Sequence, residues 1–251
     1  MNNTLTKAKT SNNTVFEAKE NGEPLADFRA QVQQWLRLEK QQFGTSRMET
    51  SERSGTVFAI WFSLWDLWYF SGVDLSDAQL AVTKTIDAFF EQLDLLAENW
   101  PFDLKVIVPY AIDMTFLPGW QMKRTGLSGP DVLAVNQRNA VTLVRQWNQA
   151  LATRFSRWGK GEVYLYNTFD WLLDQVREQQ LFSQQMADAN GLGIMSPWTN
   201  VFSGCVADPN HKILTSGLAE TVGQCSDPKT YLFWCVVQPY HTLNALTLYQ
   251  G

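Results

Sequence analysis

Histidine and cysteine are scarce in this chain. His211, His241, Cys205, Cys225 and Cys235 are the complete set in 251 residues. They form no Cys-x-x-Cys pair and no paired-His spacing, the arrangements that build a zinc site, so neither a metal nor a cofactor is expected. Long apolar runs are missing as well: none approaches the roughly 18–20 residues that a membrane-spanning helix needs. The first residues, Met1 to Lys7, lack the apolar core of a signal peptide. A natural start at Met1 implies a cytoplasmic protein, whereas an upstream extension would allow secretion. Positive charge is not clustered either. With 20 Lys and Arg against 25 Asp and Glu, a net charge of −5 and an isoelectric point near 5.1, the chain offers no phosphate-binding surface. Nucleic acid is not an expected partner.

Apolar residues make up 45% of the chain and charged residues 18%, the balance of one globular domain with a full core. That domain spans residues 1–251, with the polar stretch 1–15 read as loose. No internal repeat divides it, and neither does any linker rich in Gly, Pro or Ser. Eleven Trp and fifteen Phe are many for this length, and most belong to the core. Trp65, Trp68, Trp120 and Trp198 differ in lying in segments that contain Gly, Pro or Asp. They are the candidates for a pocket wall.

Periodicity sets out alternating strands and helices. Leu25 to Gln42 carries Phe28, Val32, Trp35 and Leu36 at helical spacing. Thr56 to Phe62 is nearly unbroken apolar and reads as a strand buried on both faces, as in parallel sheets. Ser76 to Glu98 sets Leu80, Ile86, Phe89, Phe90, Leu93 and Leu96 on one helical face. Leu104 to Tyr110 and Glu162 to Tyr166 are further strands. Between them Asp131 to Trp158 is a long helix with Leu143, Val144, Trp147, Leu151 and Phe155 inward. Asn167 caps a last helix to Gln180, with Asp170 in its first turn. The expected class is α/β, a parallel sheet with helices on both faces. Gly191 to Thr230 is the loop-rich part.

The tail from Cys225 to Gln238 resembles the last sequence block of the SGNH (GDSL-type) esterase family, fungal members in particular. The family pattern C-x-[DN]-P-x-x-Y-x-F-W-D-x-x-H is kept at Cys225, Asp227, Pro228, Tyr231, Phe233 and Trp234. The triad Asp is replaced by Cys235 and the triad His by Gln238. Phe58 to Trp68 resembles the family's strand followed by G-x-N-D, with Ser63 for the Gly, Trp65 for the Asn and Asp66 retained. Asn2 to Asn12 lies on the N-x-A-x-G-G-A-T block, with Thr6 and Lys7 where glycines belong. Ala111 to Trp120 and Asn136 to Gly193 are also similar to fungal members. The block bearing the nucleophilic Ser would fall upstream of Met1.

The resemblance implies a flavodoxin-like, three-layer α/β/α sandwich that lacks its first strand. Val57 to Phe62 would then lie at a sheet edge, and an apolar edge invites pairing. A partner chain, another part of this chain or a longer gene product would fill the slot; Tyr231 to Val237 is apolar enough to do so. Cys205 and Cys225 bracket a loop containing Gly, Asp and Pro, and Cys225 matches a family position. A disulfide between them would add roughly 3 kcal/mol in an oxidising compartment. Cys235 is left over as a buried thiol.

Ester hydrolysis needs a Ser hydroxyl, a His base, an orienting Asp and oxyanion donors. Loss of the nucleophile or the base from such a unit costs about a million-fold in turnover. A displaced triad would take His241 as base, Asp227 or Asp66 as orienter and Ser63 or Ser71 as nucleophile. Otherwise His241 is a surface residue. His211, in the segment Asp208 to Lys212, reads as a turn residue. Asp66 and Asp113 follow successive strands, at the edge where open α/β sheets bind ligands. Each is a candidate proton donor or acceptor, or else a cap that organises its loop.

Three functions compete. The first is an SGNH-like protein that has lost ester hydrolysis and binds, or transforms without hydrolysis, a small apolar or acyl-type molecule, a cyclase being one form. The second is an active carboxylic-ester or carbohydrate-acetyl esterase with rewired residues. The third is an interaction protein that forms a homo-oligomer through an open sheet edge.

Overall fold

The computed structural model describes residues 19–20, 23–24, 27–43, 54–120, 130–206, 225–235 and 238–239. The chain divides into two compact units, Met1–Ala111 with Arg138–Asn167 and Ile112–Gln137 with Thr168–Gly251. Both helix and parallel sheet are present, as an α/β fold requires.

The first unit opens with two short antiparallel strands, β1 (Lys19–Glu20) and β2 (Glu23–Pro24), and the helix α1 (Phe28–Phe43). Its main sheet has three parallel strands in the order β3 (Val57–Ala59), β4 (Leu104–Pro109) and β5 (Gly161–Tyr166). The register sets Phe58 beside Val106, Lys105 beside Glu162 and Ile107 beside Tyr164. β3 is therefore an edge strand among the described residues. Its extent corrects the expectation for Thr56 to Phe62: regular pairing covers three residues, of which Val57 and Ala59 are exposed. A strand is buried on both faces only when layers cover both. Here Leu104, Val106 and Val108 are buried, whereas Val57, Tyr164 and Tyr166 on the opposite face are exposed.

The covered face is closed by aromatic packing. Phe58 meets the Trp35 ring at 4.9 Å and the Trp100 ring at 5.5 Å, both edge-on. Phe28 of α1 lies 4.9 Å from Phe62 and 5.2 Å from Phe89. Two helices follow β3, the short α2 (Leu64–Phe70) and the long α3 (Leu75–Asn99). Asp74 caps α3, its carboxylate accepting from the Ser76 N–H at 2.9 Å and hydroxyl at 2.6 Å. Ala78, Val82, Ile86, Phe89, Leu93 and Leu96 form its buried stripe. Leu80 is not part of that stripe and is 54% exposed, which corrects its assignment to the core face. It stands two residues from both Ala78 and Val82, roughly 200° around the helix from each.

The helix α4 (Pro130–Phe155) contributes Leu143, Val144, Trp147, Leu151 and Phe155 to this core. The Phe155 ring lies 4.7 Å from that of Phe90 on α3. Arg154 pairs with Asp87 at 2.6 Å, and the Trp158 indole donates to Asp94 at 2.8 Å.

The second unit holds a 3-10 turn (Met114–Phe116), the helix α5 (Thr168–Ser183) and a second sheet. In that sheet β6 (Asn200–Gly204) runs parallel to β7 (Tyr231–Cys235), and β7 pairs antiparallel with β8 (Gln238–Pro239). The segment expected to fill a slot beside β3 thus pairs with β6 and β8 instead, because the carbonyls of Phe233 and Trp234 accept from the N–H groups of Cys205 and Val206. Cys205 and Cys225 form a disulfide.

Candidate functional site

Among the described residues of the first unit, the turn after β3 gathers the one positive-φ residue other than glycine and the most buried acid. Ile60 N–H donates to the Ile107 carbonyl at 2.9 Å, which keeps the chain on the sheet past the end of β3. Ser63 then adopts φ 112 and ψ −40 and starts α2 without a side-chain cap. L-residues rarely adopt this conformation, and holding one there costs of order 1–3 kcal/mol. The Ser63 carbonyl accepts from Leu67 N–H at 2.9 Å, so the strained residue closes the first helical turn. Asp66, in that turn, is 0% exposed.

Two indoles flank the acid in sequence. Trp65 and Trp68 are half-buried, with ring centroids 6.3 Å apart. Ser71 caps the other end of α2, and its hydroxyl donates to the Trp68 carbonyl at 2.7 Å. That bond occupies Ser71 in a structural role. The arrangement is a buried carboxylate in the same short helix as two half-buried indoles, at the C-terminal end of a parallel strand, where open α/β sheets carry their ligand sites.

In the second unit Asp113 is a cap. Its Oδ1 accepts from the Thr115 N–H at 2.9 Å and hydroxyl at 2.7 Å, and the residue is buried. Trp120 and Trp198, expected in a pocket wall, are core residues with 2% and 5% exposure. The Trp198 indole donates to Gln175 at 2.8 Å, which ties the chain before β6 to α5. Asp227 caps the 3-10 turn Pro228–Thr230. Cys235 and Gln238 are Cα partners across the β7–β8 pair. His241 and His211 lie outside the described residues.

A groove of about 530 Å³ along α5 was not legible as a site in the sequence. Phe116, Leu173 and Val176 give it apolar walls, and Asp170 and Asp174 stand one turn apart on its acidic side. Arg177, also lining it, pairs with Asp188 at 3.0 Å. The only sequence signal was the i, i+4 spacing of the two acids, which most solvated helix faces share. A second hollow of about 420 Å³ in the first unit is lined by Ser54, Pro101, Phe102, Asp103 and Lys105. None of the four tryptophans lines either hollow.

Among the described residues no group of three or more His, Cys, Asp or Glu side chains is placed to hold a metal ion. No described helix is long and apolar enough to cross a membrane. No protein-family model and no curated protein matches the chain.

Proposed function

We propose that this chain is an SGNH-hydrolase-like protein, of flavodoxin-like three-layer ancestry, that binds a small apolar or acyl-type molecule and has lost ester hydrolysis. The observation that carries the reading is Ser63. It holds φ 112 at the position where the resembling family's G-x-N-D turn has glycine. A glycine-like turn retained after the glycine itself is gone is what descent from such a scaffold leaves behind. Asp66, the one residue of that motif still present, is fully buried at the start of α2.

Hydrolysis by the family's route would need a general base and an orienting acid, and the two positions that supply them carry Cys235 and Gln238. Without a base the serine hydroxyl stays a weak nucleophile. What remains is one buried carboxylate beside Trp65 and Trp68. That set offers the half-buried indoles to an apolar chain, and the fully buried Asp66 organises the turn that carries them. The test is a tryptophan-fluorescence titration of the folded chain with medium-chain fatty acids and their methyl esters. Saturable quenching is expected, weakened at least tenfold in a Trp65→Ala, Trp68→Ala double variant. A featureless titration across the soluble range of both ligand classes would overturn the proposal.

A further inference from the structure

Among the described residues, the exposed face of the β3–β4–β5 sheet is a surface whose physics conflicts with standing bare. Parallel sheets are almost always covered on both faces. On this one Tyr164 is 61% exposed, Tyr166 39% and Val57 38%. The two tyrosine rings lie 6.4 Å apart at 22° between planes, forming a flat aromatic strip along β5. Ile107, the Cα partner of Tyr164, is half-buried beside it.

The charges on this face select the occupant. Lys105 and Glu162 are Cα partners on β4 and β5, so they stand side by side at one height along the strands. Neither has an ion-pair partner among the described residues. Lys105 Nζ reaches only the Ser54 carbonyl, at 3.5 Å. A polyanion such as nucleic acid or an anionic bilayer would meet Glu162 in the middle of the patch, on a chain of net charge −5. A strongly basic partner would meet Lys105. The Lys105 and Glu162 pair, opposite in sign and in register, is complementary to itself, with the exposed Asp103 beyond the end of β4 beside Lys105.

We propose that this face docks a second copy of the same chain, related by a two-fold axis that runs parallel to the strands between β4 and β5. Such a rotation keeps height along the strands and exchanges the two strands. Lys105 then faces Glu162 of the second copy and Glu162 faces its Lys105, while Ile107 and Tyr164 meet reciprocally. The contact is isologous, each group used twice, and the sheets pack face to face at about 10 Å, as aligned sheets do. Three short strands make a small interface, at the weak and transient end of specific contacts. The inference is independent of the binding proposal, which concerns the turn after β3.

The test is sedimentation equilibrium of the full chain across the micromolar range, with variants checked for a wild-type circular dichroism spectrum and melt. The wild type is expected to reach twice the chain mass. Lys105→Glu and Glu162→Lys should each weaken the dimer about tenfold or more by setting like charges opposite each other. The double reversal Lys105→Glu, Glu162→Lys should restore it, because the swapped pair is again self-complementary. Tyr164→Lys, at a site too exposed to disturb the core, should abolish it. A chain that stays monomeric throughout overturns the proposal, whether the face is bare or covered by this chain's own residues. A dimer indifferent to both single reversals overturns it equally.

Discussion

Asn148 clamps Ala111 with both ends of its carboxamide. Its Oδ1 accepts from the Ala111 N–H at 2.7 Å and its Nδ2 donates to the Ala111 carbonyl at 2.9 Å. A helix side chain thus replaces a strand partner just beyond β4, where the sheet would otherwise leave a buried peptide unpaired. Tyr110, one residue earlier, is still held by the sheet through its N–H to the Tyr166 carbonyl at 2.9 Å.

Removing the clamp is expected to be costly. Asn148→Ala should destabilise by about 2–3 kcal/mol, because two backbone groups lose partners in a largely buried position. Asn148→Asp keeps an acceptor for the N–H but loses the donor to the carbonyl, so it should retain part of that stability. Urea denaturation of the three proteins checks the order.

The strain at Ser63 predicts a stabilising change. Ser63→Gly should raise stability by about 1 kcal/mol, since glycine adopts φ 112 without the Cβ penalty, although it also adds freedom to the unfolded chain. Ser63→Val should lower stability, a β-branched side chain being worst suited to that backbone. Denaturant midpoints with unchanged m-values are the readout.

Asp74 gives the helix cap a pH signature. The hydrogen bond from the Ser76 hydroxyl, followed by those from the backbone N–H groups of Ser76 and Asp77, holds its carboxyl below its ordinary value near 3.8. A lowered folded pKa means that the cap's contribution is fully present above the ordinary value and is lost as pH falls through the lowered one. Asp74→Ala should therefore reduce Tm by about 2–4 °C at neutral pH. Melts taken into the acid limb should show the gap to wild type closing there.

Much of the fold was legible, and the exceptions have physical reasons. α3, α4, β4 and β5 carry long, clean periodicities, and the structure starts and ends them within a few residues of expectation. β3 was overread because an apolar run does not reveal whether one face or two will be covered. Leu80 was misassigned because apolar character is not position on the stripe. Trp120 and Trp198 are core residues in segments whose Gly and Pro suggested a rim. Asp66 and Asp113 looked alike in sequence, each following a strand. Their places separate them: Asp113 caps its own 3-10 turn, whereas Asp66 lies fully buried in the first turn of α2. The groove along α5 takes one wall from Phe116, distant in sequence from the helix, which no local pattern encodes.

The disulfide predicts a redox dependence confined to stability. Reducing Cys205–Cys225, which are 20 residues apart, should cost roughly 3 kcal/mol through the loop it frees. A melt with and without reductant measures this, and ligand-induced quenching at Trp65 and Trp68 should survive reduction under folding conditions.

The central claim, a hydrolase scaffold without hydrolysis, is tested most directly by treating the cooperatively folded chain with a fluorophosphonate serine probe and reading intact mass. An unlabelled chain is expected, since the family's base position carries Gln238 and the Ser71 hydroxyl is held by the Trp68 carbonyl. A stoichiometric adduct, mapped to either serine, would contradict it and make the chain an active esterase with a rewired site.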